Sequence, residues 1–332
     1  MTSSSSPTLT VIRRALQPLF NALDDVDASA WGRGVVLAVS GGPDSRALLE
    51  AFARWPRRPA ALEITVVVVD HGRRAGSAVE AAAVVVAARA LDLRARVEFI
   101  DVVGSDEATL RNARYGALQA VAREEGRDAV VVAHHEGDVA EGLLLHLTGQ
   151  GGGRQGRSPR PVEVRTDGPR RIRPFLQLPK SALRAALTAL GIEDVVVDED
   201  DLAGRNARGR LRLQILEPLG AIRGGFETAL ARHARLRAED DEVLDGLVPD
   251  DEVVTATLPP ALLRRWLQRR IAMFAKADPR TSPAAIDAVI RLARSADTGE
   301  ISLRGCRAVI RAGGNGRVVA VERDPVQSRR ER

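Results

Sequence analysis

Three features of the chain predict an α/β fold, a doubly wound, mostly parallel sheet, followed by a smaller and mainly helical C-terminal domain. Apolar runs rich in β-branched residues alternate with helical patterns through the first half, which is the mark of strands joined by crossover helices. Val66 to Val69 and Val130 to Val132 are unbroken apolar runs, as expected of strands buried on both faces. The strand at Val35 to Ser40 runs straight into a Ser-Gly-Gly turn at the mouth of a helix, and ligands in open sheets bind beyond the carboxyl ends of strands.

The pattern predicts strands at Val35 to Ser40, Ile64 to Asp70, Arg96 to Val103 and Ala129 to His134. Helices are predicted between them, over Asp44 to Arg54, where Pro43 suits the first turn, over Ser77 to Leu91, and over Glu107 to Glu125. Gly149 to Pro161, GQGGGRQGRSPRP, is too polar and glycine-rich to bury a core and is expected to be a linker or a substrate-closing loop. The order resumes with a strand at Ile172 to Leu176, a helix from Pro179 to Leu190 closed by Gly191, a strand at Val195 to Val197, and a basic helix at Ala207 to Leu216. Pro218 to Gly225 loses periodicity, so the expected domains are residues 1–220 and 221–332. Amphipathic helices follow at Phe226 to Leu247, Pro260 to Phe274 and Pro283 to Arg294. A terminal hairpin, Ile301 to Arg311 and Arg317 to Glu322, closes through Gly313, Gly314 and Gly316.

With 332 residues, 45% hydrophobic and 28% charged, the composition is that of a soluble globular protein with room for two cores. No apolar run approaches a membrane span, and MTSSSSPTL lacks a basic segment followed by an apolar one, so a cytoplasmic protein is expected. A single cysteine, Cys306, excludes an internal disulfide framework and a CxxC metal or redox site. Net charge is +5, and Lys180 and Lys276 are the sole lysines, so arginine carries the excess. Guanidinium groups grip phosphate and stack on bases, which suits nucleic acid, although a solvated arginine surface has the same composition.

The turn Ser40, Gly41, Gly42, Pro43, Asp44, Ser45 carries the strongest chemical signal. Two residues without Cβ let the backbone bend and aim amides at an anion, and the helix that follows adds its positive end. The spacing fits neither GxxxxGK[ST] nor GxGxxG, which weighs against a kinase-like ATPase and a dinucleotide dehydrogenase. Near the end of the fourth strand, Ala133-His-His-Glu-Gly-Asp-Val-Ala-Glu141 places Asp138 and Glu141 on one helix face. Such carboxylates can hold Mg²⁺, position and deprotonate an amine, or merely favour the positive helix end. His134, His135 and Asp138 offer a transition-metal alternative. Arg111 and Arg114, one turn apart, are candidates to bind pyrophosphate or RNA phosphate, and His71 follows the second strand where its loop can touch adenosine.

SGGPDS at Ser40 to Ser45 resembles the signature of the PP-loop ATP pyrophosphatases, whose fold is adenine nucleotide alpha hydrolase-like. Together with DHGRR at Asp70 to Arg74, RNARY at Arg111 to Tyr115, AHHEGDVAE at Ala133 to Glu141 and RIRPFL at Arg171 to Leu176, it is similar in order and spacing to the tRNA(Ile)-lysidine synthetases. The likeness covers roughly residues 30 to 220, and Leu258 to Val321 resembles, more weakly, that family's tRNA-binding C-terminal region. The resemblance implies ATP and Mg²⁺ as cofactors. It implies adenylation of carbon 2 of the wobble cytidine in an isoleucine tRNA with a CAU anticodon, then displacement of AMP by free lysine; no obligatory protein partner is visible in the sequence. It implies catalytic roles for Asp44, Arg111 or Arg114, Asp138 and Glu141; ATP contacts from Ser40 to Ser45, His71 and His134; and Mg²⁺ at Asp44 and Asp138. Arg210, Arg212, Arg264 and Arg265 are the expected tRNA contacts.

The chain departs from the family's HHxxDQxET at Val139 and Gly142, from its short Gly- and Met-containing loop at residues 149–161, and from NRxRH at Gly209-Arg-Leu-Arg-Leu213. Two alternatives follow: a tRNA-thiolating relative, against which the lone Cys306 weighs, and a catalytically silent RNA-binding homologue.

Overall fold

A computed structural model describes residues 9–72, 76–101, 107–147, 159–165, 168–193, 207–274, 282–303, 305–314 and 316–323. The predicted strand at Val195 to Val197, Arg73 and Arg74 of DHGRR, and residues 149–158 of the glycine-rich loop lie outside them. Two compact units divide the chain, Met1–Ala238 and Glu239–Arg332.

The first unit holds a six-stranded sheet of β1 (Gly34–Ala38), β2 (Glu63–Asp70), β3 (Arg94–Phe99), β4 (Ala129–Val131), β5 (Val162–Glu163) and β6 (Arg170–Ile172), in the order β3-β2-β1-β4-β6-β5. All neighbours are parallel except β5 and β6. Alternation along the strands sends Val35, Leu37, Val66, Val68 and Val131 to one face, and Val36, Val67, Val130 and Val132 to the other. Four helices cover the first face: α1 (Leu9–Asp24), α3 (Pro43–Arg54), α4 (Ser77–Arg89) and α7 (Lys180–Ala189). The short α2 (Ala28–Trp31) supplies Ala30 and Trp31 to that core, where Trp31, Phe52 and Trp55 meet edge to face at 5.5 to 5.9 Å. The opposite face is covered by α5 (Glu107–Glu124) through Leu118, Val121 and Ala122. The doubly wound sheet predicted from the β-branched runs is therefore present.

Differences from the predicted elements have local causes. Helix α1 is absent from the sequence reading; Pro18 sits in its middle, and Leu16, Leu19, Phe20 and Leu23 bury a face strong enough to override that breaker. Strand β4 stops at Val131, so His134 and His135 leave the sheet and enter the loop before α6 (Glu136–Leu147). The strand expected at Ile172 to Leu176 lies instead at Arg170–Ile172, because Pro174 has no amide to give a ladder and the chain turns after Arg173. The predicted basic helix begins as α8 (Ala207–Leu211), passes through a π-helical turn over Arg212–Leu216, and continues as α9 (Glu217–Ile222) with Pro218 tolerated in its first turn. Helix α10 (Phe226–Gly246) follows.

The second unit builds its core from α11 (Pro260–Phe274) and α12 (Pro283–Arg294), which pack Leu263, Trp266, Leu267, Ile286 and Val289 on a sheet. The expected hairpin is a correction here: four antiparallel strands are present. They are β7 (Val253–Thr255), β8 (Gly299–Leu303), β9 (Cys306–Gly313) and β10 (Gly316–Arg323), in the order β7-β10-β9-β8. Gly305, at φ +78°, takes the left-handed conformation that lets Leu303 pair with Cys306, which splits one predicted strand into two. Cys306 is fully buried.

Candidate active site

In the order β3-β2-β1-β4 the chain reverses direction across the sheet between β1 and β4, which is where an open parallel sheet leaves a crevice at its carboxyl edge. The two loops bordering that crevice are the SGGPDS turn and the His-His segment. In the first, Gly41 takes φ +86°, a conformation open to glycine at no steric cost, and Gly42 caps α3 with Pro43 in the first turn. The Ser45 hydroxyl, buried, donates to the Gly42 carbonyl at 2.9 Å and accepts from the Ser40 amide at 3.1 Å, which ties the ends of the turn together. Ser40 therefore spends its amide on the turn itself. The amides of Gly41 and Gly42 donate to no acceptor among the described residues and remain for an anion.

The second loop is organised around His135. Its Nε2 lies 3.5 Å from Asp44 Oδ2 and 3.7 Å from Asp138 Oδ2, so one imidazole joins a carboxylate at the start of α3 to one in the first turn of α6. Asp138 Oδ2 also accepts from the His135 amide at 2.9 Å, and the Gly137 amide donates to His135 Nδ1 at 3.0 Å, which puts the ring proton on Nε2, facing both carboxylates. Burial disfavours the imidazolium, but the hydrogen bond to Asp44 and the charge of Asp138 outweigh it and raise the His135 pKa. Burial would raise that of Asp138, and His134, His135 and Arg208 hold it below the usual carboxylate value. A Cβ on Gly137 would fall 2.7 Å from the His135 ring, so glycine is required for this packing.

His134 is held from the other side. Arg173, only 3% exposed, donates its Nε–H to His134 Nδ1 at 3.2 Å, while its two terminal nitrogens donate to the Arg160 carbonyl at 2.9 Å and to Glu163 Oε2 at 2.8 Å. Burial, then the charges of Arg173, Arg111 and Arg208, push the His134 pKa down to about 3 against the pull of Asp138. The fold thus rejects a proton that the unfolded chain accepts below 6.5. Between pH 6.5 and about 3, acidification costs stability, at most about 1.4 kcal/mol per pH unit for one proton. A His134→Asn variant is expected to lose that increment, read as a flatter dependence of Tm on pH than the wild type shows.

Among the described residues, two buried carboxylate oxygens have no hydrogen-bond partner, Asp44 Oδ1 and Glu141 Oε2. Orphaned anionic oxygens of this kind fit a cation such as Mg²⁺ or an ammonium group. No group of three or more His, Cys, Asp or Glu side chains arranged to hold a metal exists among the described residues, so the His134, His135 and Asp138 alternative does not assemble. Mg²⁺ fits such a site because it takes one or two carboxylates and completes its shell with phosphate and water. Glu141 Oε1 accepts from Arg212 twice, at 2.9 Å from Nε and 2.6 Å from Nη2, and burial still holds the Glu141 pKa above its ordinary value. The π-helical turn that begins at Arg212 aims this side chain back at α6.

Other predicted residues fall in different places. Arg111 is half-buried over the Tyr115 ring at 5.3 Å and its charge reaches His134, whereas Arg114 is exposed. His71 follows β2 beside Gly72, whose amide donates to Asp70. Arg210 is exposed. Arg264 pairs with Asp287 at 2.6 Å, and Arg265 is held between Asp241 and Asp245. Val139, where the family has Gln, is buried against Leu176 and Ala234, and a Cβ on Gly142 would meet nothing within 4 Å. Gly137 and Arg173 were missing from the site read in the sequence, and His135 was read there only as part of the transition-metal alternative. The doubled histidine and the RIRPF run were the available signals.

A PP-loop domain matches residues 9–219 of the chain. A tRNA(Ile)-lysidine synthase of Salinispora tropica is 37% identical over 245 residues, spanning 72% of this chain and 71% of the relative. The chain belongs to the tRNA(Ile)-lysidine synthase family. Within that family the synthase of Thermobifida fusca is 35% identical, spanning 82% of this chain and 85% of the relative. Among solved structures, the U34-tRNA thiolase NcsA of Methanococcus maripaludis shares the fold at a TM-score of 0.55 and 15% identity, over 69% of this chain and 79% of that one. Membership of the lysidine synthase family makes the chain an ATP-using ligase of the PP-loop type. No helix among the described residues is long and apolar enough to cross a membrane.

Proposed function

We propose that this cytoplasmic enzyme ligates free lysine to carbon 2 of the wobble cytidine of an isoleucine tRNA bearing a CAU anticodon, through an adenylated intermediate. The observation that carries the reading is the single imidazole of His135 drawing Asp44 of the turn and Asp138 of the first turn of α6 together at the sheet's switch point. ATP lies with its phosphates on the Gly41 and Gly42 amides and the positive end of α3, with Ser40, Pro43, Ser45, His71 and His134 around it. The cytidine O2 attacks the α-phosphate, pyrophosphate leaves, and the amides together with Arg111 or Arg114 offset its charge. Asp44 and Asp138 would hold Mg²⁺, which neutralises phosphate charge when bound. Glu141 Oε2 receives the lysine ammonium and takes the proton that the amine must shed before it attacks carbon 2 and AMP departs. The raised Glu141 pKa suits that proton transfer.

Of the four expected tRNA contacts, Arg210 is exposed; Arg212, Arg264 and Arg265 are engaged by carboxylates, Arg264 with 45% of its side chain still exposed. Arg232, Arg235 and Arg237 on the first half of α10 add exposed positive charge in the first unit. Backbone neutralisation of this kind predicts tRNA affinity that falls steeply with salt.

Incubation with ATP, labelled lysine and unmodified isoleucine tRNA is expected to label the RNA and release pyrophosphate. Pyrophosphate release without label would move the reading to a different acceptor, and retention of tRNA with neither product would leave a binding protein. A Gly137→Ala variant is expected to displace His135 and cut pyrophosphate release about a hundredfold, as misplacement by an ångström does. Overpacking should lower its stability by about 1–3 kcal/mol, read by thermal unfolding.

A further inference from the structure

Arg173 is almost wholly buried, and a buried guanidinium is tolerated when each of its nitrogens finds an acceptor. Glu163 Oε2 at 2.8 Å offsets the charge and the Arg160 carbonyl at 2.9 Å takes a second donor, which together satisfy a structural ion pair. The third donor goes to a ring nitrogen, His134 Nδ1 at 3.2 Å. Nδ1 can accept from Nε–H in one neutral tautomer alone, the one whose proton sits on Nε2. The sheet sets the two residues side by side: Val131 pairs with Ile172, and the Val132 amide donates to the Ile172 carbonyl at 3.0 Å, so each residue lies just past the end of adjacent strands.

We propose that Arg173 is a positioning residue that fixes His134 as the Nε2–H tautomer, so that the ring offers one aimed donor to an anionic phosphate oxygen of the bound nucleotide. The part concerning the nucleotide rests on the function proposed above, and the tautomer does not. Without Arg173 the ring can place its proton on either nitrogen and turn. Half of those arrangements present a lone pair, and repulsion, to a phosphate oxygen.

The test is nitrogen-15 NMR of the histidine-labelled full chain without nucleotide, the His134 signals being identified by their loss in His134→Gln. The wild type is expected to show protonated Nε2 and unprotonated Nδ1, and Arg173→Met to show mixed tautomers. Arg173→Lys keeps the charge beside Glu163 and so protects the fold, yet lacks the forked donors, and is also expected to mix. Pyrophosphate release should fall about ten- to a hundredfold in either variant, as when the outer partner of an oriented histidine is removed, with kcat falling more than KM rises. Arg173→Lys in a His134→Gln background should cost nothing further. A wild-type ring protonated at Nδ1, an unchanged tautomer in both variants, or losses that add across the two sites would overturn the proposal. An inactive wild type with the expected tautomer would overturn the function proposed above while leaving this assignment of Arg173 standing.

Discussion

Replacing Asp44 with alanine is expected to lower ATP-dependent pyrophosphate release about a hundred- to a thousandfold, the scale on which one aimed electrostatic group in an active site acts, while leaving Tm unchanged or slightly raised. Oδ1 of this carboxylate is buried with no partner among the described residues, and Oδ2 has His135 Nε2 at a long 3.5 Å. A helix-start carboxylate contributes about 0.3–1 kcal/mol, whereas an unsatisfied buried oxygen costs about 1–3 kcal/mol, so its removal is neutral or stabilising. On the function proposed above, a cation or ammonium completes the site during turnover and offsets that cost. Asp44→Asn separates charge from shape: it preserves volume and one acceptor, and it should be nearly as inactive as alanine. Full activity in the asparagine variant would show that no cation is held there. A Tm drop of more than a few degrees in Asp44→Ala would make the residue structural.

The parts of the molecule legible in the sequence are those governed by local rules. Continuous Val runs at 66–69 and 130–132 mark buried parallel strands, and Gly41-Gly42-Pro43 marks the turn and the helix start, because backbone sterics act within a few residues. Asp138 and Glu141 were readable as a pair from helical spacing. What was not legible depends on contacts between distant segments. His135 meets Asp44 across 91 positions of sequence, and Arg173 meets His134 across 39, and no periodicity encodes either encounter. The same holds for α1, where tertiary burial overrides Pro18, and for β7, three residues that pair with β10 across a long separation. Arg212 shows where a reading of the sequence stops. A solvent-facing arginine and one folded back on a buried carboxylate are identical in sequence, and the π-helical turn that decides between them has no pattern of its own.

That arginine yields the second large effect. Arg212→Met leaves Glu141, whose side chain is 4% exposed, as a buried carboxylate without its counter-charge, and the expected loss of stability is about 3–5 kcal/mol. The Glu141 pKa already lies above its ordinary value through burial, and losing Arg212 raises it further. Since the folded state then holds a proton that the unfolded state releases, the penalty is largest near pH 8 and shrinks as pH falls through the raised pKa. Denaturant unfolding at several pH values reads this directly. Adding Glu141→Gln removes the stranded charge, so the double variant should regain most of the stability and none of the lysine ligation, because a neutral amide cannot take the proton of the attacking amine. A residue that served only as a phosphate contact would behave otherwise: Arg212→Met would weaken tRNA binding and flatten its salt dependence with no change in unfolding. Recovery of stability in the double variant, with ligation still absent, would tie Arg212 to Glu141 rather than to the RNA backbone, since no phosphate contact can be restored by removing a carboxylate.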